Sequence, residues 1–284
     1  MLLTASRFFM HRELPVHLYY TCQNSTSRHS HEFAEIAIIL AGECRYETAF
    51  GSEMLSAGDV VFIPQGEEHL YSDNKDVELV NILFRFDELT FPYHDISGTP
   101  EFNILFRLRA EYCRKMKYYP RIFLKKDQLE TVKNILLPAW KNQERKLPGA
   151  TLGVYGAFLQ MIPILLDAWR SGNSPLYRSE HALIPEVISK MHSRFREKLM
   201  IPDLAREAGM SESTFNRHFK AATGDTPVDY LLKLRLQHAA EKIALGTPVS
   251  EAAFAAGFSD SNYFSRAFKK KYGVSPLKFR KLKE

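Results

Sequence analysis

The stretch LAREAGMSESTFNRHFKAATGDTP, Leu204 to Pro227, recurs in altered form as EAAFAAGFSDSNYFSRAFKKKYGVSP, Glu251 to Pro276. Each copy has a short Ala-rich helical segment, a Gly, a Ser-led second segment, a second Gly and a Pro. Phe215, Arg217, Phe219, Gly224 and Pro227 match Phe264, Arg266, Phe268, Gly273 and Pro276. Helical spacing turns Phe215, Phe219 and Ala222 inward in the first copy, and Phe264, Phe268 and Tyr272 inward in the second. Ser213, Asn216, Arg217 and Lys220 then share an outer face, as do Ser261, Asn262, Ser265, Arg266 and Lys269. Ser211 and Ser259 are the expected N-caps of the two second helices.

A short helix, a Gly-containing turn and a second helix make a helix-turn-helix. The outer residues suit double-stranded DNA. Arg grips guanine and Asn grips adenine with two bonds each, Ser pairs with either, and Lys suits phosphate. One such stripe is commonly a solvated helix face; two in the same context point to a tandem reader. Between them, PVDYLLKLRLQHAAEKIALG (Pro227–Gly246) reads as one helix, with Pro at its start and Gly at its end. At 1.5 Å per residue it spans about 28 Å, close to the roughly 34 Å between successive turns of one DNA face.

This region resembles the DNA-binding domain of the AraC/XylS family of bacterial transcription regulators, over about the last hundred residues. The resemblance implies base contacts from Ser213, Asn216 and Arg217 in the first motif and from Ser261, Asn262, Ser265 and Arg266 in the second.

Charge is divided along the chain. Residues 1–100 carry 6 Lys/Arg against 15 Asp/Glu, and residues 181–284 carry 18 against 11. A basic C-terminal third agrees with a phosphate-binding surface; an acidic N-terminal third does not. The three cysteines form no CxxC pair and read as packed, reduced thiols. The start lacks a signal-peptide pattern. The apolar run Leu159–Trp169, interrupted by Pro163, reads as too short to span a membrane, so a cytoplasmic protein without membrane contact is expected.

Upstream, EIAIIL (Glu35–Leu40), GDVVFIP (Gly58–Pro64) and VELVNILFRF (Val77–Phe86) read as short strands of a sandwich or barrel. HSHEFAEIAIILAG (His29–Gly42) and GDVVFIPQGEEHLYSD (Gly58–Asp73) resemble the two motifs of the cupin fold, with Asp73 standing where the pattern has Asn. The resemblance implies a β jelly roll in which His29, His31, Glu35 and His69 hold one divalent transition metal, a donor set suited to Fe, Mn, Ni or Zn. The same residues, joined by Arg45 and Tyr71, are the candidate lining of a small-molecule pocket. Residues 101–172 read as helices, with Leu129, Val132, Ile135 and Leu136 on one stripe and a small-residue stretch at Gly153–Ala157; the resemblance assigns them to dimerisation.

The expected organisation is α+β and multidomain. A cupin sensor (1–100), a helical dimerisation segment (101–172) and a linker (173–180) precede an all-α tandem helix-turn-helix domain (181–284). The expected function is that of a non-enzymatic transcription regulator, an activator by resemblance. Its partners would be DNA, a sugar effector as in the rhamnose regulators of the family, a second copy of the chain, and RNA polymerase. The alternatives are a metal-dependent cupin enzyme, or a metal sensor, fused to a DNA-binding tail.

Overall fold

A computed structural model describes residues 1–4, 15–22, 25–89, 95–117, 120–172 and 183–282. The expected linker, 173–180, lies outside the described residues. The chain divides into two compact units. Met1–Tyr93 with Glu101–Ala182 form the first, and Leu183–Glu284 with His94–Pro100 form the second. The first hundred residues are therefore not all of one body: among the described residues, 95–100 group with the second unit.

The first unit is built on strands β1 (Leu2–Leu3), β2 (Val16–Cys22), β3 (Ser30–His31), β4 (Ala34–Thr48), β5 (Gly51–Ser56), β6 (Asp59–Ile63), β7 (His69–Phe84) and β8 (Arg121–Phe123). Six of them form one antiparallel sheet in the order β2-β7-β4-β6-β8, with β5 on β4. The short runs expected from sequence are parts of longer strands, and β4 and β7 dominate as a 15- and 16-residue pair. Thr48 pairs with His69 and Glu35 with Leu83. A straight strand would set Glu35 about 43 Å from Thr48. Yet the ligand atoms of His69 and Glu35 lie within 4.8 Å of each other, so the ribbon folds back on itself. Bulges make this possible, with register shifts between Ile39 and Arg45 centred on Gly42 at φ 73°.

The bulges also reverse the side-chain parity of β4. Ala37 and Ile39 face the interior before them, and Cys44 and Tyr46 face it after them, with Leu55, Val61, Ile63, Tyr71, Val77 and Leu79 in the same cluster. Uninterrupted alternation from Glu35 would have carried Arg45 inside. The reversal turns it out to solvent, where it pairs with Asp73 at 2.7 Å.

Helices α1 (Pro100–Phe106), α2 (Ala110–Met116), α3 (Lys126–Glu144) and α4 (Ala150–Ser171) complete this unit. The 101–172 segment is thus not wholly helical: β8 joins the sheet beside β6, pairing Ile122 with Val60. Gln143 of α3 bonds both backbone groups of Leu18 on β2, at 3.1 and 2.7 Å, and so covers that sheet edge. Helix α4 runs through Pro163 for 22 residues. It is long and apolar enough to cross a membrane, which corrects the shorter reading from sequence. Phe158, Met161, Leu165 and Trp169 are buried along it, as in the core helix of a folded domain. Gly153 and Gly156 have open space where a side chain would stand. Cys44 and Cys113 are buried; Cys22 is exposed, against the expectation that all three pack.

The second unit is helical: α5 (Leu183–Arg194), α6 (Ile201–Glu207), α7 (Glu212–Thr223), α8 (Pro227–Ala244), α9 (Val249–Ala255), α10 (Ser261–Tyr272) and α11 (Pro276–Lys281). The two helix-turn-helix motifs are α6–α7 and α9–α10. Phe215 and Phe219 are fully buried, as are Phe264 and Phe268. Phe268 stacks among Phe264, Tyr272 and Phe279 with ring centroids 4.5–5.4 Å apart. In the second motif Gly257 stands at φ 84°, where a Cβ would come within 2.7 Å of the Arg196 carbonyl oxygen, so the turn docks on the chain after α5 through a position that only Gly suits.

Candidate functional site

The C-terminal unit carries two exposed polar helix faces. Helix α7 begins where Ser211 Oγ accepts from the Thr214 amide, and ends at Gly224 in the left-handed conformation. With Phe215 and Phe219 inward, Ser213, Arg217 and Lys220 are exposed and Asn216 is half-exposed. Asn216 donates to the Glu212 carbonyl at 2.7 Å, which holds its amide against its own helix. On α10, Ser261, Asn262, Arg266 and Lys269 are exposed and Ser265 is half-exposed. Its N-cap is Asp260, whose carboxylate accepts from the Asn262 and Tyr263 amides. Ser259 does not cap, because the helix starts one turn position later and the carboxylate reaches both amides. Those two bonds hold the Asp260 carboxyl below its ordinary range. Among the described residues Arg217, Lys220, Arg266 and Lys269 form no ion pair, which leaves four cations for a polyanion. The helix between the motifs, α8, has 18 residues and is about 27 Å long.

The N-terminal unit gathers a second group. Ligand atoms of His31, Glu35 and His69 all lie within 4.8 Å of one another, with every side chain buried. The folded ribbon brings β3, the start of β4 and the start of β7 to one place. His31 Nδ1 faces the Phe33 carbonyl at 2.6 Å, and His69 Nδ1 faces the Glu67 carbonyl at 3.3 Å. A carbonyl only accepts, so both Nδ1 atoms carry a proton and both Nε2 atoms face the cluster. His31 Nε2 lies 3.2 Å from Glu35 Oε2. His31 Nε2, His69 Nε2 and Glu35 Oε1 have no hydrogen-bond partner.

Burial pushes the His69 imidazole down to about 4, so it is neutral near pH 7. Burial would raise the Glu35 carboxyl, but His31, 3.2 Å away, and the other imidazoles beside it bring it below its ordinary range. Two imidazoles anchored through Nδ1, a buried carboxylate and three atoms without hydrogen-bond partners fit a divalent transition metal. His29 stands beside this group. Its ring is 4.4 Å from that of His69, but its Nδ1 turns to the Ser27 carbonyl at 2.9 Å, and it is outside the set of converging atoms. Tyr71 is buried, edge-on to His69 at 5.9 Å, and burial raises its phenol well above the ordinary value. Arg45 is turned outward, 2.7 Å from Asp73, and is not part of the buried cluster.

A cavity of about 630 Å³ lies elsewhere in this unit, against the edge strand β8. Tyr46, Phe50, Glu53, Asp59, Arg121, Phe123 and Trp169 are among its walls, and none of His29, His31, Glu35, His69, Arg45 or Tyr71 is. Sequence reading missed these residues, because they come from a hairpin, an edge strand and the end of a helix that only the fold assembles.

A folded sensor-like sheet unit attached to two exposed, cationic helix-turn-helix faces defines a ligand-responsive DNA-binding regulator. An AraC-like ligand-binding domain matches residues 15–128 and a helix-turn-helix domain matches residues 204–282. The chain belongs to the AraC family of transcription regulators.

It is similar to the transcriptional activator RhaR of Mannheimia succiniciproducens, 25% identical over 89% of this chain and 86% of that protein. It is also similar to the activator RhaS of Yersinia pestis bv. Antiqua, 25% identical over 91% of this chain and 90% of that protein. A solved structure, the C-terminal domain of the response regulator AraT from Geobacillus stearothermophilus, matches 39% of this chain and 88% of its own, with 30% identity and a TM-score of 0.34.

Proposed function

We propose that this protein is a cytoplasmic, sugar-responsive transcription activator. It binds paired half-sites on double-stranded DNA as a homodimer and acts on RNA polymerase from there. The observation that carries the reading is the pair of exposed faces, Ser213/Asn216/Arg217/Lys220 and Ser261/Asn262/Ser265/Arg266/Lys269, on helices whose opposite sides are fully buried. The relatives' description as activators supports the sign of regulation. Helices α3 and α4 carry the dimer contact in this reading. Effector binding shifts the population between arrangements that present the readers differently, to the extent that the effector prefers one of them.

Footprinting of the purified protein on its own upstream region, with and without L-rhamnose and other hexoses, tests the reading. A protected pair of half-sites whose affinity or spacing changes with one sugar supports it. Sequence-independent binding that no sugar alters would overturn it.

The orphaned Nε2 atoms of His31 and His69 and Oε1 of Glu35 favour a second component. These three residues, with His29 at their side, would hold a divalent transition metal. Bound there, the ion would supply a fixed positive charge, either as a structural clamp on the folded ribbon or as a signal in its own right. Elemental analysis of purified protein checks this. A stoichiometric metal lost in His69→Ala supports it, and metal-free protein after growth in metal-supplemented medium counts against it.

A further inference from the structure

The structure separates two sites of different kind. The cluster of His31, Glu35 and His69 is buried, with its ligand atoms all within 4.8 Å of one another, a spacing that suits one ion. The cavity against β8 has about 630 Å³, within the range of small-molecule sites. We propose that this cavity, walled by Tyr46, Phe50, Arg121, Phe123 and Trp169, is the effector site and takes a monosaccharide, while the histidine cluster does not touch the sugar. The proposal rests on the sugar-responsive reading above and gives that reading a place.

The chemistry of the walls carries the ligand class. Phe50 and Phe123 expose large ring faces, and Tyr46 and Trp169 are almost fully buried rings on the same cavity. Such flat surfaces suit the C–H face of a sugar ring. The polar side is a planar network held rigid before any ligand arrives. Arg121 donates to Asp59 Oδ1 through Nε at 3.0 Å and Nη2 at 2.8 Å, and to Glu53 through Nη1. Asp59 Oδ2 is held by the Ser56 amide at 2.8 Å. The Glu53 side chain stays 61% exposed, so its remaining lone pairs are open to hydroxyl donors. Pre-oriented carboxylates and a guanidinium bond neighbouring hydroxyls with little ordering cost. The Trp169 indole N–H has no hydrogen-bond partner.

Position supplies the link to signalling. Trp169 and Gly172 border the cavity and are the last turn of α4 and the residue after it, from which the chain continues to the DNA-binding unit. A sugar that packs on Trp169 orders the exit of the sensor unit. Tyr46 also borders the histidine cluster, 6.0 Å from the His69 ring, so the two sites share a wall without sharing a ligand.

The test uses full-length protein carrying Trp140→Phe, which leaves Trp169 as the one tryptophan of the two in the sequence. Its emission is followed while L-rhamnose, L-fucose, D-galactose and L-arabinose are titrated, with benzoate as an anionic counter-probe. The expected result is a saturable change with at least one sugar. Phe123→Ala, at an exposed position, should weaken it about tenfold. Thr48→Phe, which fills the cavity without removing a wall, should abolish it, and His69→Gln should leave it within about twofold. A sugar bound equally well by Phe123→Ala and Thr48→Phe but lost in His69→Gln would overturn the placement and keep the sugar reading. Saturable binding of benzoate alone, or of no probe while DNA binding persists, would overturn the sugar reading itself.

Discussion

Replacing Gly42 by Ala should unfold the sensor unit more than any neighbouring glycine substitution. Gly42 stands at φ 73° in the bulge of β4, and an added Cβ would overlap the backbone carbonyls of Asp76 and Lys75 on β7. Neither carbonyl can swing away as a side-chain tip would, because both are part of the paired ribbon. Gly66, at φ 80° with nothing within 4 Å, is the matched control. Gly66→Ala should cost only the left-handed conformation, about 1–2 kcal/mol. Gly42→Ala should cost that and about 1–3 kcal/mol more for overpacking. For a unit of this size the excess corresponds to a fall in Tm of about 2–12 °C. Both tryptophans, Trp140 and Trp169, lie in the sensor unit, so thermal melts followed by their emission report on it alone. The survivors of Gly42→Ala should also bind sugar poorly, because the bulge is what turns Tyr46 inward. Equal melting of the two variants would refute the reasoning, since it would mean that the ribbon absorbs the bulge without loss.

Other perturbations test the remaining assignments. Arg217→Ala should weaken operator binding by about 1–3 kcal/mol and relax preference at one base pair; titration against single-base operator variants reads this, and an equal loss on every sequence would place Arg217 on phosphate. Lys269→Ala should weaken all DNA sequences alike and lower the salt slope by about 1, with an unchanged slope counting against a phosphate contact. Ser211→Ala should destabilise the DNA-binding unit by about 1 kcal/mol, while Ser259→Ala should stay within about 0.5 kcal/mol; chemical denaturation followed by circular dichroism compares them, and a larger loss at Ser259 would restore it as the cap. His69→Ala and Glu35→Ala should each release any bound transition metal, whereas His29→Ala should retain most of it, as elemental analysis would record.

The DNA-binding unit was legible because its information is local. The 3.6-residue spacing of Phe215 with Phe219, and of Phe264 with Phe268, decides which side of each helix is buried and hence which side is left exposed. Glycines and prolines at fixed offsets mark the ends. The one local error, Ser259 for Asp260 as cap, lies within the usual uncertainty of a helix start. The strand positions and the His/Glu pattern of the sensor unit were also readable, because alternation and motif spacing lie along the chain.

What the sequence could not display is where a 15-residue strand bends. Parity along β4 holds from Glu35 to Ile39 and then reverses at Gly42, so Arg45 went from expected pocket wall to surface ion pair and Tyr46 took its place inside. The closeness of His69 to Glu35 and the edge position of Arg121–Phe123 have the same origin. So does the cavity that brings Phe50, Arg121 and Trp169 together from separate elements. Sequence alone determined the two-part regulator and the residues exposed on the outer faces of its helices, since helix faces follow from the order of neighbours. Tertiary structure decided which sensor residues share a site, since contacts between strands far apart in the chain depend on bulges and registers that no local pattern encodes.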